Sequence, residues 1–188
     1  MIPITKLTGR LGNQMFQYAF LYSMAKKGFI PDVYVQSPEF FEDCAGEILG
    51  LYRQGLGKQI DAVSIHIRRT DYVGNHFYSN LVREGYYERA IAEFPKDTTF
   101  LVFSDDIEWC KRYFYAKDGN FQFAEGNTDI EDMNMMASCK HNIIANSSFS
   151  WWAAYINPNP SKIVIAPKSW YTDGDQNRTK LPKEWKRI

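Results

Sequence analysis

Hydrophobic and polar positions repeat one local unit along this chain: a short apolar run, a polar turn, and a stretch with helical spacing. The apolar runs at 62–69, 99–103, 141–145 and 162–166 predict β-strands, and in the first of them hydrophobic residues occupy every second position. A further short strand is predicted at 4–7. Strands that alternate with helices indicate an α/β fold with a mainly parallel sheet and flanking helices.

Apolar residues three and four positions apart predict the helices between these strands. We expect helices at about 14–27, 84–94, 107–114, from near Asp129 to 140, and in the segment after Ser148. Residues 38–59 show no clear period and are interpreted as a connector with room for one short helix. The polar tail after Pro167 is interpreted as loops.

Polar side chains directly follow several of the predicted strands, at the edge of a parallel sheet where ligands bind. Arg68 and Arg69 close the strand at 62–69, and Asp71 follows them. Two guanidinium groups suit a phosphate oxyanion, because each offers a planar fork of donors that is always charged. The alternative is a surface salt bridge between Asp71 and one of the arginines, and this segment alone does not decide between the two.

Three further turns have both a structural and a functional interpretation. Ser104 and Asp105 either cap the next helix or place acceptors for ribose hydroxyls and base N–H groups at a strand end. Asn146-Ser147-Ser148 either caps a helix or cradles a phosphate at the N-terminus of that helix. Gly9 and Gly12 either serve a tight turn or let a ligand approach backbone N–H groups.

Composition and charge narrow the class of protein. The net charge of the 188 residues is zero, which argues against binding of nucleic acid through a basic surface. The sequence contains no run of ~18 apolar residues, so no membrane span is expected. The three cysteines form no CxxC pair and the first residues lack a signal-peptide pattern, so we expect a cytoplasmic protein.

Familiar cofactor motifs are absent from the sequence. It has no GxxxxGK[ST] phosphate loop, no GxGxxG dinucleotide turn and no metal-ligand spacing among its three histidines. The segment Asp173-Gly174-Asp175 has the DxD pattern of a metal clamp, but its Gly and Asn neighbours favour a turn. We therefore expect neither a metal nor a cofactor.

Four segments together resemble one known family. They are Gly9–Phe16 (GRLGNQMF), His66–Tyr72 (HIRRTDY), Phe103–Asp106 (FSDD) and Asn146–Ala154 (NSSFSWWAA). In this order they resemble the motifs of glycosyltransferase family 11, the bacterial and animal α-1,2-fucosyltransferases. The resemblance covers residues 1–36 and about 60 to the end, and we expect a bacterial member.

The resemblance implies a fold and an activity. The fold would be of the GT-B type, with two Rossmann-like domains and the active site between them. The enzyme would transfer fucose from GDP-fucose to a galactose 2-hydroxyl of a glycan, with inversion and without metal. By position, residues 1–36 would be a remnant of the acceptor-side domain, 37–59 a connector, and 60–188 the domain that binds GDP-fucose.

The resemblance also assigns roles to single residues. Arg68 resembles the arginine on the donor β-phosphate, His66 a contact to the nucleoside, and Asp105 a residue near the guanosine site. The donor-binding residues implied in this way are His66, Arg68, Arg69, Asp71, Ser104, Asp105, Asn146, Ser147, Ser148 and Phe149. Arg10 and Asn13 resemble the loop that faces the reaction centre, and with Arg68 they are the catalytic candidates. No general base is assigned.

The chain departs from the family pattern between its first helix and the HIRRTDY strand, where residues 38–59 replace a much longer segment. Two functions therefore compete: an active α-1,2-fucosyltransferase with a reduced acceptor side, and a donor-binding remnant with little transferase activity. A nucleotide-sugar transferase of other specificity is the third interpretation. We also expect the first helix to expose apolar surface and to favour a homo-oligomer.

Overall fold

The computed structural model describes Leu7 and residues 9–27, 41–174 and 179–188. In this part of the chain the helices are α1 (Leu11–Lys26), α2 (Ala45–Tyr52), α3 (Tyr86–Ile91), α4 (Ile107–Phe114), α5 (Asp129–Ser138) and α6 (Ser148–Ile156), and a 3-10 turn spans Glu42–Cys44. The strands are β1 (Ile60–Ile67), β2 (Thr99–Ser104), β3 (Asn120–Phe123), β4 (Cys139–Ile143), β5 (Val164–Ala166) and β6 (Lys186–Arg187).

The six strands form one sheet in the order β3-β2-β1-β4-β5-β6, and every pair in it is parallel. The predicted α/β fold with a parallel sheet and flanking helices is therefore confirmed, and the order is that of a Rossmann-like doubly wound sheet. Strand β1 lies in the middle, with Ile65 opposite Val102 of β2 and Ile143 of β4. The direction of winding reverses between β1 and β4, which opens a crevice at the carboxyl ends of these strands.

Helices cover both faces of the sheet, as expected for parallel strands. Alternate residues of β1 are buried on opposite faces: Val63, Ile65 and Ile67 pack with α3 and α4, whereas Ala62 packs with α1, α2, α5 and α6. Each face has its own hydrophobic cluster, so the domain has three layers with the sheet between two cores.

Helix α1 packs into the core against α6. The Phe16 ring lies 4.6 Å from the Trp151 ring and 4.9 Å from the Trp152 ring, centroid to centroid. Ala19 and Phe20 are also buried. The expectation that the apolar face of this helix is exposed is therefore wrong, because α6 and α2 cover that face within the same chain.

The segment interpreted as a connector contains the one short helix for which it had room. Ile48 of α2 and Phe41 before it are fully buried in the core that also contains α1. The hydroxyl of Tyr52 donates to the backbone carbonyl of Met15 at 3.1 Å, which ties α2 to α1. The proposed division at residues 36 and 59 stays a prediction, as do the GT-B arrangement and the homo-oligomer.

Several boundaries differ from those predicted. Helix α1 begins at Leu11 rather than near position 14, because the Gln14 N–H already donates to the Arg10 carbonyl. Strand β4 covers 139–143 rather than 141–145, since Cys139 pairs with Ile60 of β1 and so ends α5 early.

Two strands were missed, and one predicted strand is not covered. Strand β3 has only four residues at the sheet edge, and β6 has two exposed residues in the tail that was interpreted as loops. Neither is long enough to show a hydrophobic period. The strand predicted at 4–7 lies outside the described residues apart from Leu7.

The packing of α1 on α6 predicts a large effect of Gly12→Ala. A Cβ at position 12 would lie 2.5 Å from the backbone N of Phe149 and from the carbonyl carbon of Ser148. Backbone cannot yield as a flexible side chain does, so the free energy of unfolding should fall by about 1–3 kcal/mol in urea titrations.

The matched control is Gly50→Ala in α2, where no atom of the described part of the chain lies within 4 Å of the added Cβ. This variant should be unchanged or more stable by up to about 1 kcal/mol, because alanine favours a helix over glycine. Equal stabilities for the two variants would contradict the close approach at Gly12.

Candidate functional site

A cavity of about 590 Å³ opens at the carboxyl edge of the sheet, between the ends of β1, β2 and β4 and the first residues of α1 and α6. It collects most of the residues singled out from the sequence. Those that line it are Arg10, Asn13, His66, Arg68, Asp71, Ser104, Asp105, Ser147, Ser148 and Phe149. Arg69 and Asn146 do not line it.

Arg68 lies at the centre of the cavity with a side chain that is only 11% exposed. Its Nε and Nη2 atoms lie 2.8 and 2.7 Å from the Oδ1 atom of Asp71. Its Nη1 atom lies 2.9 Å from the Oδ2 atom of Asp105. Arg68 therefore forms the salt bridge that was one interpretation of this segment, and it also lines a cavity large enough for a ligand.

Asp105 fixes the turn that follows β1. One of its oxygens accepts from the backbone N–H of Arg69 at 2.8 Å, and the other accepts from the Thr70 hydroxyl. Partial burial acts to raise the pKa of Asp105, but these hydrogen bonds and the Arg68 charge outweigh it and hold the pKa below its usual value. Asp105 is therefore an ionised acceptor that holds Arg68 in place.

Arg10 brings a second guanidinium to the same group. It lies 3.8 Å from both Asp71 and Asp105, and its side chain is 59% exposed. Two arginines and two aspartates thus form one network in which the four charges balance. An anionic ligand would meet both guanidinium groups on entering the cavity.

His66 contributes a buried and neutral imidazole. Its ring lies 5.4 Å from the Phe149 ring, centroid to centroid, and its Nδ1 atom has no hydrogen-bond partner among the described residues. Burial, and secondarily the charge of Arg68, lowers the pKa of His66 to about 3. A buried polar atom without a partner is uncommon, and a ligand in the cavity would supply one.

The N-terminus of α6 forms the floor of the cavity. Ser147 caps this helix by accepting from the Phe149 N–H at 3.4 Å, and the Ser148 hydroxyl donates to Asn13 Oδ1 at 2.7 Å. Helix α1 starts at the same cavity, and its N-cap residue, Arg10, makes no side-chain hydrogen bond to the N-terminal N–H groups of the helix. The positive ends of two helix dipoles therefore meet where the two arginines lie.

The two predicted residues outside the cavity have structural contacts instead. The Arg69 guanidinium lies 3.8 Å above the Trp109 ring and 3.9 Å from Asp106. The side-chain amide of Asn146 donates to the carbonyls of Ser79 and Trp170 at 3.1 and 2.9 Å. Both residues brace loops around the cavity, and their predicted contact with a ligand stays a prediction.

Two groups of lining residues were not predicted from the sequence. One is an aromatic wall formed by Tyr72, Tyr78, Trp170 and Tyr171. The other is an acidic wall formed by Asn127, Asp129 and Asp132, where α5 begins. Tyr72 stood in the quoted HIRRTDY motif, but the loops that carry the remaining residues gave no signal. The aromatic wall combines the loops after β1 and β5, whereas the acidic wall follows β3, on the other side of β1 from β5.

The acidic wall holds a carboxylate with an unusual environment. Burial raises the pKa of Asp132, even though the Asn127 amide donates to it at 2.9 Å and so acts in the other direction. Asp129 and Glu131 nearby add to the increase by charge repulsion. This carboxylate favours a ligand that offers N–H donors.

The described ranges 9–27, 41–174 and 179–188 lack two other kinds of feature. They contain no group of three or more His, Cys, Asp or Glu side chains arranged to hold a metal ion. Nor do they contain a helix that is long and apolar enough to cross a bilayer.

The parallel sheet, its strand order and the charged cavity at the reversal point place the molecule among the doubly wound α/β proteins, whose ligands bind at this edge. The family model for glycosyl transferase family 11 matches residues 30–188, and the chain belongs to that family. The family inferred from the four motifs is confirmed, although the first motif, at 9–16, lies outside the matched residues.

Similar curated proteins come from bacteria and animals. The chain is 42% identical over 138 residues to an alpha-1,2-colitosyltransferase of Escherichia coli, and the aligned residues cover 68% of this chain and 48% of that protein. It is 34% identical over 140 residues to the O-antigen biosynthesis glycosyltransferase WbnK of Escherichia coli, covering 69% and 46%. It is 34% identical over 104 residues to galactoside 2-alpha-L-fucosyltransferase Sec1 of Mus musculus, covering 50% and 28%. The chain thus spans about half the length of the first two relatives and less of the third.

The buried imidazole predicts a pH dependence of stability. An unfolded histidine titrates near ~6.5, whereas the pKa of folded His66 is lowered to about 3. Between these two pKa values the unfolded chain binds a proton at His66 and the folded chain does not. The free energy of unfolding should therefore fall as the pH drops below ~6.5, by up to about 1.4 kcal/mol per pH unit. Above that pH His66 is neutral in both states and contributes no slope.

Urea titrations between about pH 4 and pH 7 measure this slope. His66→Gln should be less pH-dependent than the wild type, while His76→Gln on an exposed loop should match the wild type. A His66→Gln variant with the wild-type slope would rule out a buried, neutral imidazole at this position.

Proposed function

We propose that this chain carries the donor site of an inverting, metal-independent glycosyltransferase that transfers fucose from GDP-fucose to a galactose 2-hydroxyl of a glycan. The observation that carries the proposal is the convergence of the family motifs on one cavity. All but two of the residues singled out from the sequence line that cavity, although they come from four separate segments. Its volume of about 590 Å³ suits a nucleotide-sized ligand.

The diphosphate would lie at the centre of the cavity. Arg68 and Arg10 offer guanidinium donors there, and the N-termini of α1 and α6 add backbone N–H groups. The nucleotide would have to displace Asp71 from Arg68, because Asp71 occupies the Nε–Nη2 edge that a phosphate would use. Asp71 is half-exposed, so it can turn toward solvent without burying a charge.

The guanine base would lie toward the acidic wall. Guanine presents N–H donors along one edge, and Asp129 and Asp132 supply carboxylate acceptors. His66 borders the same space with an unpaired ring nitrogen. Asp105, whose oxygens already accept from within the chain, would act mainly by holding Arg68.

The proposed chemistry needs stabilisation of a leaving group. Fucosyl transfer builds negative charge on the departing GDP, and fixed cations with helix N-termini can stabilise that charge in the absence of a metal. Arg68 is held by two carboxylates and is thus oriented before the donor arrives. Asn13, fixed by Ser148, and Arg10 lie on the α1 side of the cavity.

Two alternatives rest on the comparisons. The relative with 42% identity is named for colitose transfer, so colitose is the second candidate for the transferred sugar. The chain spans about half the length of its bacterial relatives, so donor binding without efficient transfer is the second candidate activity.

The three cysteines are free and buried, which supports the proposed cytoplasmic location.

Calorimetry with GDP tests the donor site. Arg68→Ala should weaken GDP binding by about 2–4 kcal/mol, the effect of losing a charged contact to a buried diphosphate. Arg68→Lys should recover only part, because lysine lacks the planar fork. Arg112→Ala on an exposed face of α4 removes the same charge and should leave the affinity unchanged.

Equal GDP affinity in the wild type and Arg68→Ala would reject the donor site. A parallel assay of fucose release and of transfer to a galactoside separates the two candidate activities: binding with release but little transfer supports the donor-binding alternative.

The ion pair between Arg68 and Asp71 predicts an increase in affinity. Asp71→Asn removes the group that competes with the diphosphate for Arg68, so GDP should bind about 3- to 10-fold more tightly, in line with the strength of a partly exposed ion pair. Asp118→Asn, exposed and outside the cavity, makes the same change in net charge and should have no effect. Weaker GDP binding by Asp71→Asn would instead mean that Asp71 positions Arg68 in the complex.

A further inference from the structure

The cavity offers chemically different surfaces on its two sides. The acidic wall presents carboxylate and amide groups at the start of α5, after β3. The aromatic wall combines Tyr72 and Tyr78 from the loop after β1 with Trp170 and Tyr171 from the loop after β5. If the diphosphate occupies the centre of the cavity, the polar side and the aromatic side remain for the base of the nucleotide sugar and for the acceptor.

The aromatic wall is held rigidly before any ligand binds. The Tyr72 and Tyr78 rings stack with centroids 3.9 Å apart and planes within 7°. Tyr78 pairs with Tyr171 in an antiparallel bridge, which joins the loop after β1 to the loop after β5. The side-chain amide of Asn146 donates hydrogen bonds to a carbonyl of each loop, Ser79 and Trp170, and so holds the two loops together.

Two hydroxyls of this wall are already engaged within the chain. The Tyr72 hydroxyl donates to the Asn146 carbonyl at 3.0 Å, and the Tyr171 hydroxyl lies 3.0 Å from the Thr179 hydroxyl. Among the described residues, the four side chains of this wall offer no carboxylate to a guanine edge, whereas the opposite wall has two. A pyranose ring suits this wall, because its C–H groups form an apolar face that packs on aromatic rings.

The rim of the wall extends toward solvent. Phe77 is 46% exposed, and the centroid of its ring lies 5.1 Å from that of Tyr78 and 4.9 Å from that of Tyr171. Val73 on the same loop is 58% exposed. The donor sugar is covalently attached to the diphosphate and would therefore lie inside the cavity. Because the aromatic surface extends from the cavity to the solvent, it suits the acceptor sugar, which arrives from solution.

We propose that the aromatic wall, with Phe77 at its rim, is the acceptor subsite and binds the terminal galactopyranose of the glycan by stacking. This rests on the proposed function and deepens it. The acceptor would lie next to the centre of the cavity, with its hydroxyls toward Arg10 and Asn13 on the α1 side.

The test measures binding of a galactoside and binding of GDP in the same variants. With GDP at saturation, lactose is titrated against the wild type by ligand-observed NMR, and GDP affinity is measured separately by calorimetry. Tyr78→Ala should weaken lactose binding about 3- to 10-fold, as expected for losing one aromatic contact, and should change GDP affinity less than twofold. Tyr78→Phe keeps the ring and should retain lactose binding.

Phe77→Ala is the second variant, because the half-exposed rim residue can be removed without opening the core. It should also weaken lactose binding, whereas Tyr115→Ala, a change at a 91% exposed tyrosine outside the cavity, should not.

The outcomes separate this inference from the proposed function. Absence of GDP binding in the wild type rejects the donor site itself. GDP binding without lactose binding, or lactose binding that survives both Tyr78→Ala and Phe77→Ala, overturns the acceptor subsite alone. A larger loss of GDP than of lactose affinity in Tyr78→Ala also overturns it, because the wall would then hold the base.

Discussion

The close approach of α1 to the N-terminus of α6 at Gly12 is the contact on which both the core and the cavity depend. A glycine there lets helix backbone meet helix backbone, with no room for a Cβ. One turn further along α1, Phe16 fills the space beside Trp151 and Trp152. The same approach brings Asn13 to Ser148 and sets Arg10 opposite Arg68. Packing and ligand chemistry are therefore not separable at this point of the fold.

The charges around Arg68 illustrate how a ligand site is kept in an otherwise well-packed protein. Two guanidinium groups near two helix N-termini would repel each other if no anion were present. Asp71 and Asp105 neutralise them, but the two carboxylates differ. Asp105 also accepts from the Arg69 N–H and the Thr70 hydroxyl, whereas Asp71 is half-exposed and bound chiefly through Arg68. One carboxylate therefore fixes the arginine, while the other is easily exchanged for an incoming anion.

How much of this arrangement the sequence predicts depends on the range of the interactions. Alternation within β1 and the polar residues after β1, β2 and β4 are local signals, and parallel strands bring their carboxyl ends together, so the centre of the cavity followed from them. The aromatic and acidic walls did not, because Tyr78 meets Tyr171 only through a bridge between distant loops. The contacts of Asn146 were not predicted for the same reason: its partners, Ser79 and Trp170, lie far from it in sequence. Strands β3 and β6 are too short to carry a period of their own.

The hydrogen bond between Asn13 and Ser148 joins residues that are 135 positions apart. During synthesis α1 leaves the ribosome first, and α6 follows only after most of the sheet has been made. At ~5–20 residues per second the interval is on the order of ten seconds. For that time Phe16 lacks Trp151 and Trp152, against which it packs in the finished domain. The nascent chain thus carries an α1 whose apolar face only the segment around α2 can cover, and the cavity is completed only when α6 reaches α1.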